Sequence, residues 1–171
     1  NVNFSTKFNF LYVGLWGDKG GYGEDRKNIA NLVKFFFNTF KDEKDVGLVL
    51  KTNIINASAE DKLNTVKRIE DIKSNFKNAK CKVHLIHQHL SDEEMSALYT
   101  HPQIKAYLGI QHGEGYGLPL LEAAAAGLPV ITTDWSGQTD FLRIKHGYIP
   151  LEYELKEIPD CQIWENVIDK G

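Results

Sequence analysis

The stretch His112-Gly-Glu-Gly-Tyr-Gly-Leu-Pro-Leu-Leu-Glu-Ala-Ala-Ala-Ala-Gly-Leu-Pro-Val-Ile-Thr-Thr-Asp134 decides how the rest of the chain is read. Gly113, Gly115 and Gly117 alternate, which predicts a loop whose backbone takes positive φ and lies close against something a Cβ would push away. Pro119 suits a first helical turn, where no amide hydrogen is needed, and Leu120 to Ala126 favours helix until Gly127 stops it. Pro129 to Thr133 then reads as a strand. The amides around Gly115, Tyr116, Gly117 and Leu118 converge with the positive end of a helix dipole behind them, which makes a site for an anion. Two carboxylates, Glu114 in the loop and Glu122 in the helix, stand with seven residues between them. Phosphate alone does not call for them. A ligand that carries hydroxyls as well as phosphates does, because an ionised carboxylate accepts two hydrogen bonds and can grip a vicinal diol. Taken singly, Glu122 also reads as a helix-surface acid and Glu114 as a favourable charge near a helix start.

Outward from this stretch, strand-like and helix-like segments alternate with short connections. Phe8 to Gly14 is a buried strand, and Arg26 to Phe40 places Ile29, Leu32, Val33, Phe36, Phe37 and Phe40 on one helical face. Val46 to Lys51 is a second strand. Ala59 to Phe76 is a charged surface helix with Leu63, Val66, Ile69 and Ile72 or Phe76 as a narrow apolar stripe. Lys82 to Ile86 is the third strand, and Ser91-Asp-Glu-Glu94 is a capping box opening a helix through Met95, Leu98 and Tyr99. Ala106 to Ile110 is the fourth strand and Pro129 to Thr133 the fifth; a short helix at Thr139 to Leu142 and a strand-like Gly147 to Pro150 finish the sheet. This rhythm predicts an α/β fold, a doubly wound parallel sheet of Rossmann-like type, in which ligands collect at the carboxyl ends of the strands.

The 171 residues form one domain, with a core over about 8–153 and a polar tail over 154–171. The chain starts almost directly with a strand and no core helix closes the sheet at its end, so both ends read as cut. A formal net charge of -3 without Lys/Arg runs argues against general nucleic-acid binding. Cys81 and Cys161 are too few for a disulfide framework, which points to a reducing, cytoplasmic setting. No apolar run is long enough to span a bilayer, and the first residues lack the order of a signal peptide.

Other candidates lie on the same expected edge. After the first strand and Gly14, a loop with glycines at 17, 20, 21 and 23 leads to Arg26 and Lys27 at the start of the next helix. Cations there oppose the helix dipole; a diphosphate would account for them, and so would solvation on a surface turn. The loop is neither a dinucleotide fingerprint nor a Walker loop. His84, His87 and His89, with Cys81 before them, raise a metal, but the spacing completes no tetrahedral set. In Asp134-Trp-Ser-Gly-Gln-Thr-Asp140, Trp135 offers a flat face for a sugar or for the core, and Ser136 and Gln138 offer donors.

Glu114-Gly-Tyr-Gly-Leu-Pro-x-x-Glu122-Ala-x-Ala-x-Gly-x-Pro-Val-Ile resembles, in order and spacing, the signature of retaining GT-B glycosyltransferases of family 4, also called group 1. The resemblance covers roughly residues 8 to 153. It implies one half of a GT-B fold, the C-terminal nucleotide-sugar-binding half, with an acceptor-binding domain missing before Asn1 through which a peripheral membrane association is possible. It implies transfer from a nucleotide-diphosphate sugar of UDP or GDP type with retention of configuration and no metal or other cofactor, Glu114 approaching donor-sugar hydroxyls and Glu122 holding the ribose. Lys27 matches the family's phosphate-binding lysine. The family's arginine usually follows the strand glycine directly, but Leu15 follows Gly14 here, leaving Arg26, Lys19 or Lys51 to supply the second charge. Lys51 ends a strand on the ligand edge, where it reaches the site or only faces solvent. The loop after the third strand, Gln88 with His89 and Leu90, is implied to border the base, and His112 to touch the donor. Two other readings are open: a nucleotide-sugar epimerase of GT-B fold, and a non-catalytic nucleotide-binding module.

Overall fold

The computed structural model describes residues 3–17, 25–144 and 147–157. Its six strands form one sheet: β1 (Phe8–Val13), β2 (Val46–Lys51), β3 (Lys82–Ile86), β4 (Ile104–Gly109), β5 (Val130–Thr133) and β6 (Tyr148–Leu151), in the order β3-β2-β1-β4-β5-β6. Every neighbouring pair is parallel. Parallel strands need crossovers, and five helices are interspersed between them: α1 (Ile29–Phe40), α2 (Ala59–Lys73), α3 (Asp92–Tyr99), α4 (Leu118–Ala125) and α5 (Thr139–Leu142). Alternation along the central strand feeds two cores. Phe10 and Tyr12 pack with Leu48 and Leu50 under α1 and α2, while Leu11 packs with Val49 under α3, α4 and α5. The chain therefore winds outward from β1 in one direction and from β4 in the other, and the gap at their carboxyl ends is where such sheets open a crevice.

Helix ends follow local chemistry. Ser91 and Glu94 form the expected capping box, with Glu94 N–H donating to Ser91 Oγ and Ser91 N–H to Glu94 Oε2. Gly127, at φ 82°, ends the signature helix as expected. Of the three alternating glycines only Gly117 has positive φ, 85°; Gly113 and Gly115 have room for a Cβ.

Two expectations change. Helix α1 begins at Ile29, so Arg26 and Lys27 lie in the turn before it. Asp25 sets that start by accepting Ile29 N–H through Oδ2 at 3.0 Å, and Asn28 bends the chain into it at φ 56°. In α2 the buried face is Asp61, Thr65, Ile69 and Ile72, leaving Leu63 at 69 % and Val66 at 38 % exposure. Asp61 fixes this phase. Its carboxylate accepts the N–H groups of Ile54 and Ile55 at 3.0 and 3.2 Å and His87 Nε2 at 2.9 Å, bonds that two apolar contacts could not replace.

Candidate functional site

The loop that follows β1 and the loop that follows β4 meet at the switch point. Asn28 Nδ2 donates to Ile110 O at 3.0 Å and His112 N–H to Arg26 O at 3.0 Å, so the turn before α1 is laced to the end of β4. Tyr107, buried on β4, donates its hydroxyl to Val13 O at 3.1 Å and fixes the ends of both strands beneath.

On this frame Arg26, Lys27 and Glu114 converge. Lys27 Nζ donates to Glu114 Oε1. Arg26 Nη1 donates to Gly113 O at 2.8 Å and lies 3.6 Å from Glu114 Oε2. The Lys27 and Glu114 side chains are 16 % and 11 % exposed, whereas Arg26 is 47 % exposed, so the lysine–carboxylate pair sits in the crevice with the guanidinium at its mouth. Glu114's backbone is fixed as firmly. Ser136 Oγ donates to Glu114 O at 2.6 Å and accepts its N–H at 3.2 Å, and Gly137 N–H donates to the same carbonyl at 3.2 Å. A Cβ on Gly137 would meet Gly115 O at 2.1 Å, so only glycine allows the loop after β5 to lie against the signature loop.

Beside the pair, helix α4 begins at Leu118 with no side-chain cap. Pro119 has no N–H, and Leu120 and Leu121 both donate to Gly117 O, which leaves Leu118 N–H as the donor at the positive helix end. Glu122 lies on the exposed side of the second turn, where Tyr99 O–H donates to its Oε2 at 2.8 Å. Helix α1 offers no comparable start, because Asp25 already occupies it. Burial raises the Asp25 carboxyl above its usual range, and the Ile29 bond opposes that rise.

Gly14 follows β1 at the edge, where a Cβ would meet the Tyr12 hydroxyl at 2.6 Å. That hydroxyl is buried and has no hydrogen-bond partner among the described residues; burial pushes its ionisation well up, and the charges of Glu114 and Asp25 add to this. Lys51 ends β2 opposite Val13, half-buried and with no acidic partner among the described residues. Desolvation lowers its ammonium below the usual lysine range. His89 is exposed and Leu90 half-buried in the loop before α3, while His112, Tyr116 and Leu118 are exposed around the signature loop, Tyr116 against Phe141. Lys19 lies outside the described residues.

The remaining candidates separate. Strand β3 ends at Ile86, after which His87 is buried on Asp61 and His89 is exposed, while His84 bonds Thr6 Oγ1 at 2.8 Å. Among the described residues no three His, Cys, Asp or Glu side chains gather as a metal-binding set. Gln138, expected as a ligand donor, is fully buried and donates to Thr133 O at 3.1 Å. Ser136 spends its hydroxyl on Glu114, and Trp135 packs against Tyr153. Asp25 and Tyr99 were not legible as site residues. An acid just before the Arg-Lys pair was a signal for the first; nothing in sequence marked the second.

The chain has structural relatives at this level of detail. The C-terminal domain of a glycosyl transferase group 1 family protein, LpcC, from Francisella tularensis is 21 % identical with a TM-score of 0.57, covering 80 % of this chain and 63 % of that one. The GtfA/B complex gives 24 % identity and a TM-score of 0.57 over 91 % of this chain and 26 % of that one. Sucrose-phosphate synthase from Thermosynechococcus elongatus gives 24 % and 0.52 over 77 % and 29 %. At these identities the likeness is one of fold, the α/β half of a GT-B architecture, and the chain spans less than two thirds of each relative's length. No curated protein matches the sequence. No helix among the described residues is long and apolar enough to cross a membrane. The family description "Glycosyl transferases group 1" matches residues 24–150, which take in the turn of Arg26 and Lys27, the Glu114 loop and helix α4, and the chain belongs to that family.

Proposed function

We propose that this chain is the donor-binding half of a retaining glycosyltransferase that moves a sugar from a nucleoside-diphosphate sugar, of UDP or GDP type, to an acceptor hydroxyl without a metal. The observation that carries this reading is the convergence of two cations, a capless helix start and a crevice carboxylate at the β1/β4 switch point. Without ligand, Glu114 pairs with Lys27 and lies beside Arg26, leaving the cluster with a net positive charge. A donor diphosphate takes over both cations and Leu118 N–H, and the released Glu114 turns to hydroxyls of the transferred sugar. Glu122 takes the ribose. Lys51 adds positive charge along the edge, and His89, Leu90 and His112 line the approach of the base and the sugar.

In the transfer the bond from the anomeric carbon to the leaving phosphate oxygen breaks, the acceptor oxygen bonds to that carbon on the same face, and its proton passes to the departing phosphate. Negative charge grows on the nucleoside diphosphate, where Lys27, Arg26 and the amide are fixed in advance; such donors contribute about 3 kcal/mol each to a transition state. The acceptor-binding domain is part of this proposal and lies outside the chain, so the chain alone binds donor and turns over little.

Titration of the chain with UDP, GDP and ADP by calorimetry tests the reading. Selective binding of one diphosphate, lost in Glu122→Ala, is the expected result; a folded chain that binds none of the three would contradict it.

A further inference from the structure

We propose that Tyr99 is a positioning residue for ribose recognition: it holds Glu122 in the one orientation that accepts a vicinal diol. The inference rests on the donor-binding reading above and adds to it a residue on a different helix. Tyr99 closes α3 at 2 % exposure, its ring packed in the core that includes Ile104, Leu120 and Ala123. From there its hydroxyl reaches Glu122 Oε2 at 2.8 Å, across 23 residues of sequence. A glutamate on the exposed side of a helix ordinarily samples several rotamers, and binding then costs the entropy of stilling it. Here the cost is met before ligand arrives.

The bond also sets the chemistry of the carboxylate. Burial raises the ionisation of the Tyr99 hydroxyl far above its usual range, with Tyr107 and Glu122 adding to the rise, so the proton stays on tyrosine and Tyr99 is a donor at any working pH. Glu122 therefore accepts through Oε2 from a neutral hydroxyl. Among the described residues Oε1 has no hydrogen-bond or ion-pair partner. A diol presents two adjacent donors to that free oxygen and to the second lone pair of Oε2, whereas a deoxyribose presents one.

The test measures dissociation constants for UDP and GDP and for their 2′-deoxy and 3′-deoxy counterparts, on wild type, Tyr99→Phe, Glu122→Ala and the double variant. Wild type is expected to prefer the ribonucleotide by about tenfold or more, as for loss of a hydrogen bond to a charged group. Tyr99→Phe should shrink that preference several-fold while the far-ultraviolet circular dichroism stays unchanged, and it should add nothing in the Glu122→Ala background. If the phenylalanine variant does not fold, a crystal structure of wild type with the nucleotide bound decides instead: Tyr99 should still donate to Glu122 Oε2 while the ribose hydroxyls face that carboxylate, and a ribose held with the Tyr99 contact broken would overturn the proposal. A folded Tyr99 variant that keeps the full ribose preference would overturn the proposal. So would a wild type that binds the diphosphates without distinguishing ribose. Wild type that binds no nucleotide would instead overturn the donor-binding reading on which the proposal stands.

Discussion

Asp61 and Glu114 both lie at the carboxyl edge of the sheet and each has a basic partner, yet the two clusters are built for different ends. Asp61, in the first turn of α2, accepts two backbone N–H groups from the loop it closes as well as His87 Nε2, and its residue is buried. Among the described residues Glu114 accepts no backbone amide through its carboxylate; its partners are the ends of the long Lys27 and Arg26 side chains. A carboxylate bonded to backbone donors is part of the fold, because nothing can replace it without stranding those donors. A carboxylate bonded only to flexible cations can exchange them for a ligand's charge.

The contrast can be broken first at Asp61. Asp61→Ala strands the Ile54 and Ile55 amides and the His87 ring, which should cost about 3 kcal/mol and lower the midpoint of thermal unfolding by about 6–12 °C. Calorimetry on the variant should still find nucleotide affinity within a few-fold of wild type below the new midpoint. Lys27→Ala should do the reverse. Loss of a charge-assisted contact to phosphate weakens nucleoside-diphosphate binding by about 10–100-fold, while Glu114 keeps the Arg26 guanidinium beside it when Lys27 is removed, so the loss of stability should be smaller than for Asp61. An unfolding midpoint that fell with Lys27 as far as with Asp61 would erase the distinction.

Titration sharpens it further. Burial works to raise the Asp61 carboxyl, but the bonds from Ile54, His87 and Ile55 outweigh it and hold the group below the usual range. A folded value below the unfolded one, which is about 4, means the unfolded chain binds the extra proton near that pH. The stabilisation is therefore complete above about pH 4 and is lost as pH falls through the depressed folded value. Wild type should lose stability below that point more steeply than Asp61→Asn, as read by the unfolding midpoint between about pH 2.5 and 5. The smallest effect is expected on the outer face of α2: Leu63→Ser should change stability by less than about 0.5 kcal/mol, against about 2–5 for Ile72→Ala, because the phase that Asp61 imposes leaves Leu63 in water.

How far these features were legible depended on the range of the interaction that makes them. The strands, the capping box at Ser91 and the stop at Gly127 are written in neighbouring residues, and the structure has them within a few positions of where local chemistry puts them. The signature loop and helix were legible because glycines, prolines and two acids specify them within one short stretch. The α2 stripe was not. Apolar periodicity chose Leu63 and Val66, but a buried acid bonded to distant amides outweighed two aliphatic side chains, and its partners lie on another loop and another strand end. The contact of Lys27 with Glu114 spans 87 residues, and that of Tyr99 with Glu122 joins two helices. No spacing rule reaches across a sheet; the residue types were visible, and their pairing is a product of strand order.

The most direct measurement is a crystal structure of the chain with UDP or GDP bound. The diphosphate should lie within hydrogen-bond distance of Lys27 Nζ and Leu118 N–H, the Lys27–Glu114 pair should be open, and both ribose hydroxyls should face Glu122. A nucleotide bound elsewhere on the sheet, or one that leaves the Lys27–Glu114 pair closed, would contradict the assignment of the β1/β4 crevice as the donor site.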